Sequence, residues 1–311
     1  MAINKYMDPR KSLILFELKK KLDYFIKLYN SNKFPQVLML SGEKGSGKFT
    51  MINHFLTYLF DKDNYNLENC LINDQSLFYK QYTSDLFPNI VYLSGNNFKR
   101  ASINSIRNLK TEILHSTILN KDRFIIFDDI ELFNKNIFNA LLKIIEEPSP
   151  NNHFILINNK TKPIIETIHS RSVEIKLILD KRTKVEIIKS LIKLFDLDSH
   201  INFNLFNLTP GNFLIYNSIC QENKININDD YISNLTTLLN LYKKSKNINF
   251  FNMILFLTDF YFLKQKESHK EYFEEIIESK SFIVSNLNNF ITYNLNQISL
   301  INAINSKIDN E

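Results

Sequence analysis

Gly42, Gly45 and Gly47, three of only five glycines in 311 residues, fall in Gly42-Glu43-Lys44-Gly45-Ser46-Gly47-Lys48-Phe49-Thr50. The spacing is G-x-x-x-x-G-K, the pattern of a phosphate-binding loop. Glycine lets successive backbone N–H groups converge on a phosphate, a following helix amino terminus adds positive potential, and Lys48 supplies a point charge. Residues 42–50 are therefore a candidate nucleotide site. A hydrolysing loop carries Ser or Thr after its lysine to ligate Mg²⁺. Here that residue is Phe49, and Thr50 lies about 100° further round a helix, facing away from the metal. The loop reads as degenerate: nucleotide can still bind through it and Lys48, but efficient Mg²⁺-dependent ATP hydrolysis is not expected.

Four further places carry groups suited to the same chemistry. Phe124-Ile125-Ile126-Phe127-Asp128-Asp129 is an apolar strand running into two acids. Asp128 fits a metal-contacting carboxylate, and Asp129 stands where a Glu usually polarises the attacking water; a pair that caps the following turn is the structural alternative. Asn158 and Asn159 close the next strand, where an amide meets a γ-phosphate or, equally, shapes a turn. Arg171, between Ser170 and Ser172, is one of six arginines in a chain whose default cation is lysine. Its planar fork suits phosphate oxygens or a surface salt bridge. Residues 139–148, NALLKIIEEP, form an amphipathic helix with a proline stop, and in isolation carry no chemistry.

These groups need a frame, and the first 178 residues supply an α/β pattern. Strands are expected at 36–41, 90–94, 124–127, 154–157 and 173–177. Helices are expected at 11–29, 48–60, 102–118, 134–147 and 163–169, with 61–88 a variable insertion lacking a clear period. Five strands joined by helical connections imply a parallel sheet covered on both faces. Beyond 179 the strand signal fades. Helices are expected at 181–195, from Pro210-Gly211 onward, and across 229–243, 250–264 and 269–280. The division expected is 1–178 for the sheet domain, 179–222 for a small helical domain and 223–311 for an all-α bundle.

Composition excludes several classes. No apolar run approaches the roughly 20 residues of a bilayer span, and MAINKYMDPRKS has no apolar signal core. No membrane association is expected. Cys70 and Cys220 alone cannot build a disulfide framework or an all-cysteine zinc site, which fits a reducing cytoplasm. A net charge of +5 permits nucleic-acid contact without arguing for it. Lys99, Arg100 and Arg107 are candidates for phosphate contact or a subunit edge, with a solvated face the plainer reading.

Taken in order and spacing, these pieces resemble the clamp-loader AAA+ ATPases. NALLKIIEEP is similar to the family's N-A-L-L-K-x-L-E-E-P signature, and FILINNKTKPIIETIHSRSVEIKL resembles its sensor-1 strand, short helix and S-R-C arginine motif. The resemblance covers 34–60 and 86–180 well, 181–220 weakly and the rest as helical content. It implies an AAA+ sheet domain, a small helical lid and a helical collar from about 222. Asn158 and Asn159 become sensor-1 candidates, Asp128 and Asp129 a degenerate Walker B pair. Motor subunits of the family keep GKT or GKS, a D-E acid pair, a four-cysteine zinc module and a sensor-2 arginine. Here Phe49, Asp128-Asp129, a lone Cys70 and Gly211 stand in those places. This implies a non-motor subunit without zinc, partnered in a hetero-oligomeric ring by gamma or tau motors and a delta subunit. The ring would act on the sliding clamp and primed DNA, with Arg171 reaching ATP on a neighbouring motor. The rival readings are an ATP-hydrolysing motor or other AAA+ ATPase, and a P-loop small-molecule kinase.

Overall fold

A computed structural model describes residues 8–95, 121–146, 148–268 and 273–309. The expected helix over 102–118, with Lys99, Arg100 and Arg107, lies outside the described residues. The chain divides into two compact units, 1–197 with 203–212, and 198–202 with 213–311. The border runs inside the 179–222 stretch.

The first unit is built on strands β1 (Val37–Ser41), β4 (Ile90–Ser94), β5 (Arg123–Asp128), β6 (Asn152–Asn158) and β7 (Val173–Lys176). They form one parallel sheet in the order β4-β5-β6-β1-β7. The central strands read as unbroken apolar runs because helices cover both faces. Alternate residues serve opposite cores. Leu38, Leu40, Ile126 and Ile155 pack with Leu22, Phe25, Ile52 and Phe55 of helices α1 (Lys19–Asn30) and α2 (Lys48–Phe60). Met39, Phe127, Phe154 and Leu156 pack with Ile137, Leu141 and Ile144 of α4 (Lys135–Ile145) and with Ile168 of α5 (Glu166–His169). Helix α4 starts where Asn134 accepts the Ile137 N–H at 2.9 Å.

One expectation is corrected. The helix placed at 11–29 begins only at Lys19. Residues before it run extended beside a small hairpin: Leu15 N–H donates to Cys70 O at 3.1 Å and Ile72 N–H to Leu13 O at 2.9 Å. Glu17, at φ 56°, turns the chain from one state to the other. Leu15 and Leu18 still point inward, so their helix-like spacing is satisfied without a helix. Residues 61–88, where no period was expected, carry short elements. They hold the hairpin β2 (Tyr65–Asn66) and β3 (Leu71–Ile72) and helix α3 (Leu77–Thr83), whose Ser76 cap accepts the Tyr79 N–H. Tyr65, Cys70 and Ile72 join the core. Elements this short leave no period to read.

Helix α6 (Lys181–Phe195), capped by Asp180, follows the sheet. Helix α7 (Pro210–Asn223) begins in the first unit. The second unit holds its remainder with α8 (Tyr231–Ser245), α9 (Ile248–Ser268), α10 (Phe273–Tyr293) and α11 (Gln297–Asp309). From α8 on, each helix packs on the next, and α11 returns to α8. Leu235, Leu239, Ile254, Leu257, Ile283 and Ile304 are buried, and the Tyr231 and Thr258 hydroxyls meet at 2.9 Å. The fold is thus a five-stranded parallel α/β sheet followed by all-helical parts. No helix among the described residues is long and apolar enough to cross a membrane.

Candidate phosphate-binding site and its flanks

The carboxyl end of β1 delivers Ser41 directly into the glycine loop, and Gly47 at φ 86° opens α2. A side chain at Gly42 would meet Leu177 O at 2.3 Å, so the loop's entry is tight. Lys48 is 3% exposed. Its Nζ donates to Gly42 O at 2.9 Å, to Glu43 O at 2.6 Å and toward Ser46 Oγ at 3.4 Å. Burial pulls its ammonium down to about 8, although Asp128, Glu131, Asp129 and Glu43 all favour the charge. The cation is thus engaged by the loop's own oxygens.

A second segment sits on the same loop. Thr209 Oγ1 donates to Lys44 O at 2.7 Å, and Gly211 N–H donates to Gly45 O at 2.9 Å. Thr209 also receives the Asn212 N–H at 3.4 Å, in the manner of an N-cap, with Pro210 following it. Gly45, at φ 80°, has room for no Cβ: one would stand 2.6 Å from Thr209 Oγ1. A Cβ on Gly211 would stand 2.7 Å from Gly45 Cα. Lys184 from α6 adds a third tie, pairing with Glu43 and donating to Asn207 Oδ1 at 3.1 Å. Its side chain is 4% exposed. Sequence reasoning treated Gly211 as a missing arginine. The structure gives it a positive requirement, contact of backbone on backbone. Lys184, Asn207 and Thr209 carry no local signal and were not legible.

Along the carboxyl edge of the sheet lie the acids. Asp128 Oδ2 accepts from Tyr92 OH at 3.1 Å and its Oδ1 from the Asp129 N–H at 2.9 Å. Burial and the adjacent Asp129 charge push its carboxyl up to about 6. Asp129, buried at φ 50°, accepts from Asn159 Nδ2 at 2.8 Å and lies 3.7 Å from Lys44 Nζ. The two asparagines divide their work. Asn159 reaches the acids, whereas Asn158 Oδ1 accepts the Lys160 N–H at 2.8 Å within its own turn. Glu131, which the sequence did not mark, is buried, accepting from Asn159 N–H at 3.2 Å and Thr161 Oγ1 at 2.8 Å.

Phe49 explains the rest of this edge. Its buried ring meets Tyr92 edge-to-face at 5.1 Å, and Tyr92 in turn holds Asp128. The position that should offer a metal-binding hydroxyl offers aromatic packing instead, and Thr50 is half-buried on the next helical position. No group of three or more metal-ligating side chains exists among the described residues. Phe49 offers no hydroxyl to a cation, and each oxygen of Asp128 accepts from one protein donor.

Arg171 lies elsewhere. It follows α5 and precedes β7, and β7 pairs with β1 in the register Leu38↔Val173 to Ser41↔Lys176. The loop leaves β1 at the Ser41 end, while Arg171 enters β7 at the opposite end, about 10 Å of strand away. The sheet therefore brings residues 42–50, Asp128, Asp129 and Asn159 to one edge and leaves Arg171 at the other. There Arg171 Nη2 meets Glu146 Oε1 at 2.9 Å, and Nη1 donates to Thr167 O at 3.1 Å and Ser170 Oγ at 3.3 Å.

Comparison with known proteins follows this geometry. A family model described as DNA polymerase III, delta subunit, matches residues 18–180, which include the loop, the acids and Arg171. The chain is 24% identical over 235 residues to "DNA polymerase III subunit delta'" of Buchnera aphidicola subsp. Baizongia pistaciae, covering 72% of this chain and 66% of that protein. It is 25% identical over 213 residues to "DNA polymerase III subunit gamma" of Buchnera aphidicola subsp. Acyrthosiphon pisum, covering 65% and 56%. The chain thus spans between about half and two thirds of the curated relatives it matches. A solved DNA polymerase III gamma subunit-related protein of Thermotoga maritima aligns at a TM-score of 0.42 and 14% identity, covering 91% of this chain and 99% of that one.

Proposed function

The chain belongs to the DNA polymerase III delta-subunit family of clamp-loader proteins, and from that premise we propose that it is a delta-prime-like, non-motor subunit. In this reading it joins gamma or tau motors and a delta subunit in a hetero-oligomeric ring in the bacterial cytoplasm. The ring loads a sliding clamp onto primed DNA. Arg171 is donated across a subunit boundary, where its guanidinium stabilises charge on ATP held by the neighbour. The chain's own loop binds ATP and Mg²⁺ weakly or not at all, and no zinc is needed. Residues 179–222 act as the lid and 223–311 as the collar.

One observation carries the reading: the parts of a phosphate site are separated across the sheet. At the carboxyl edge the loop has lost its hydroxyl to Phe49, and Lys48 is engaged by loop carbonyls. At the amino edge an exposed arginine has no phosphate loop beside it among the described residues. An arginine placed there serves a site on another chain. The test is turnover of Mg²⁺-ATP by the purified chain and by the reconstituted complex. Negligible turnover alone, with Arg171→Ala slowing the complex, supports the reading; an undiminished Arg171→Ala complex removes it.

A second reading is favoured by the intact G-x-x-x-x-G-K spacing and the match to gamma subunits: a hydrolysing motor. It requires robust turnover by the isolated chain that Lys48→Ala abolishes.

A further inference from the structure

The helix ending in Ile144-Ile145-Glu146 belongs to the most distinctive stretch of the sequence, yet the phosphate loop and its acids make no use of it. We propose that Glu146 is the positioning residue for Arg171, an inference that rests on the trans role of Arg171 set out above.

Arginine carries four flexible side-chain torsions and about 2 kcal/mol of rotamer entropy, so an exposed one does not hold a direction unaided. Arg171 stands just beyond a four-residue helix and two residues before an edge strand. Two of its acceptors, Thr167 O and Ser170 Oγ, are local and move with that short helix. Glu146 is the acceptor that comes from a different element. Its own N–H donates to Leu142 O at 2.9 Å, so its backbone caps the carboxyl end of α4. That helix is anchored by Ile137, Leu141, Ile144 and Ile145, all buried. The ion pair therefore references the guanidinium to the sheet core rather than to a surface turn. Arginine has five N–H donors, more than the three acceptors named here, so donors remain for a phosphate oxygen while the plane is held. The pair is about two-fifths exposed, Arg171 at 37% and Glu146 at 44%, which leaves it open to an approaching subunit.

The experiment uses the reconstituted complex and steady-state ATPase, with the full-length chain carrying Glu146→Gln, Arg171→Ala or both. Arg171→Ala is expected to lower kcat at least tenfold, a smaller factor than the ~10³–10⁵ of a full arginine finger. Glu146→Gln is expected to lower kcat about threefold, or ~0.65 kcal/mol at 1.36 kcal/mol per decade, with KM for ATP unchanged. Glu146→Asp, which keeps the charge, recovers part of that loss. In the Arg171→Ala background Glu146→Gln has no further effect. On the isolated chain, phenylglyoxal labels Arg171 faster in Glu146→Gln than in the native protein. If Glu146→Gln leaves kcat untouched while Arg171→Ala lowers it, or acts equally in both backgrounds, the positioning role is wrong and the trans reading survives. If Arg171→Ala itself leaves the complex at full rate, the trans reading falls and the inference with it.

Discussion

Gly45 and Gly211 touch backbone to backbone: the Gly211 N–H donates to the Gly45 carbonyl at 2.9 Å, and neither position has room for a Cβ. The phosphate loop is thereby a partner for a segment 166 residues further along the same chain. Gly211→Ala would press a methyl against Gly45 Cα at 2.7 Å, an overpacking that backbone must absorb. The expected loss is about 2 kcal/mol, seen as a melting temperature lowered by about 4–8 °C. An unchanged melt would mean that the segment detaches freely.

Thr209 serves two roles through one hydroxyl, capping α7 and holding Lys44 O. Thr209→Val removes both at nearly constant shape. A cost of about 1–2 kcal/mol is expected. Amide hydrogen exchange across residues 42–48 should rise at the same time, because the loop loses a tie that water must replace. Exchange that stays at the native rate would place the loop's rigidity elsewhere.

Asp128 gives a pH dependence with a defined sign. Its carboxyl is pushed up to about 6 in the folded chain, by burial first and by Asp129 second. Between about pH 4 and 6 the folded chain holds a proton that the unfolded chain has released, so this group's contribution to stability falls as pH rises through that window. Above pH 6 the folded state carries an unfavourable charge. Asp128→Asn removes it and should raise stability by about 3 kcal/mol at pH 8, with the gain vanishing below about pH 4. Denaturant melts of both proteins at pH 4, 6 and 8 test the sign directly.

Phe49→Thr restores the hydroxyl that a Mg²⁺ loop carries, but it empties the space beside Tyr92. Loss of a buried ring costs about 3 kcal/mol. Turnover of Mg²⁺-ATP should not appear, since Lys48 remains engaged by loop carbonyls and Gly211 remains on Gly45. Measuring melt and turnover together separates the two effects; a stable, active variant would show that Phe49 alone silences the site.

The sequence by itself determined the parallel sheet, the loop and its lost hydroxyl, the acid pair and the arginine. Each of these is local: an apolar run long enough to be buried on both faces, a glycine spacing, a residue type at the end of a strand. What only the tertiary structure decided is which of these groups meet. Register between β1 and β7 sends Arg171 to the edge away from the loop, and no local pattern encodes register between strands whose paired residues lie 135 positions apart. Lys184, itself held by Asn207, and Thr209 reach the loop only because α6 and the segment before α7 pack over it. Residues 12–15 abandoned a helical spacing because the hairpin offered backbone partners that a helix start would have left unmade. Glu131 became part of the acid cluster through Asn159 and Thr161, contributed by the neighbouring strand's exit. Chemistry of single residues was legible in the chain; their pairing depends on contacts between distant segments, where burial and hydrogen-bond satisfaction choose among partners the sequence leaves equivalent.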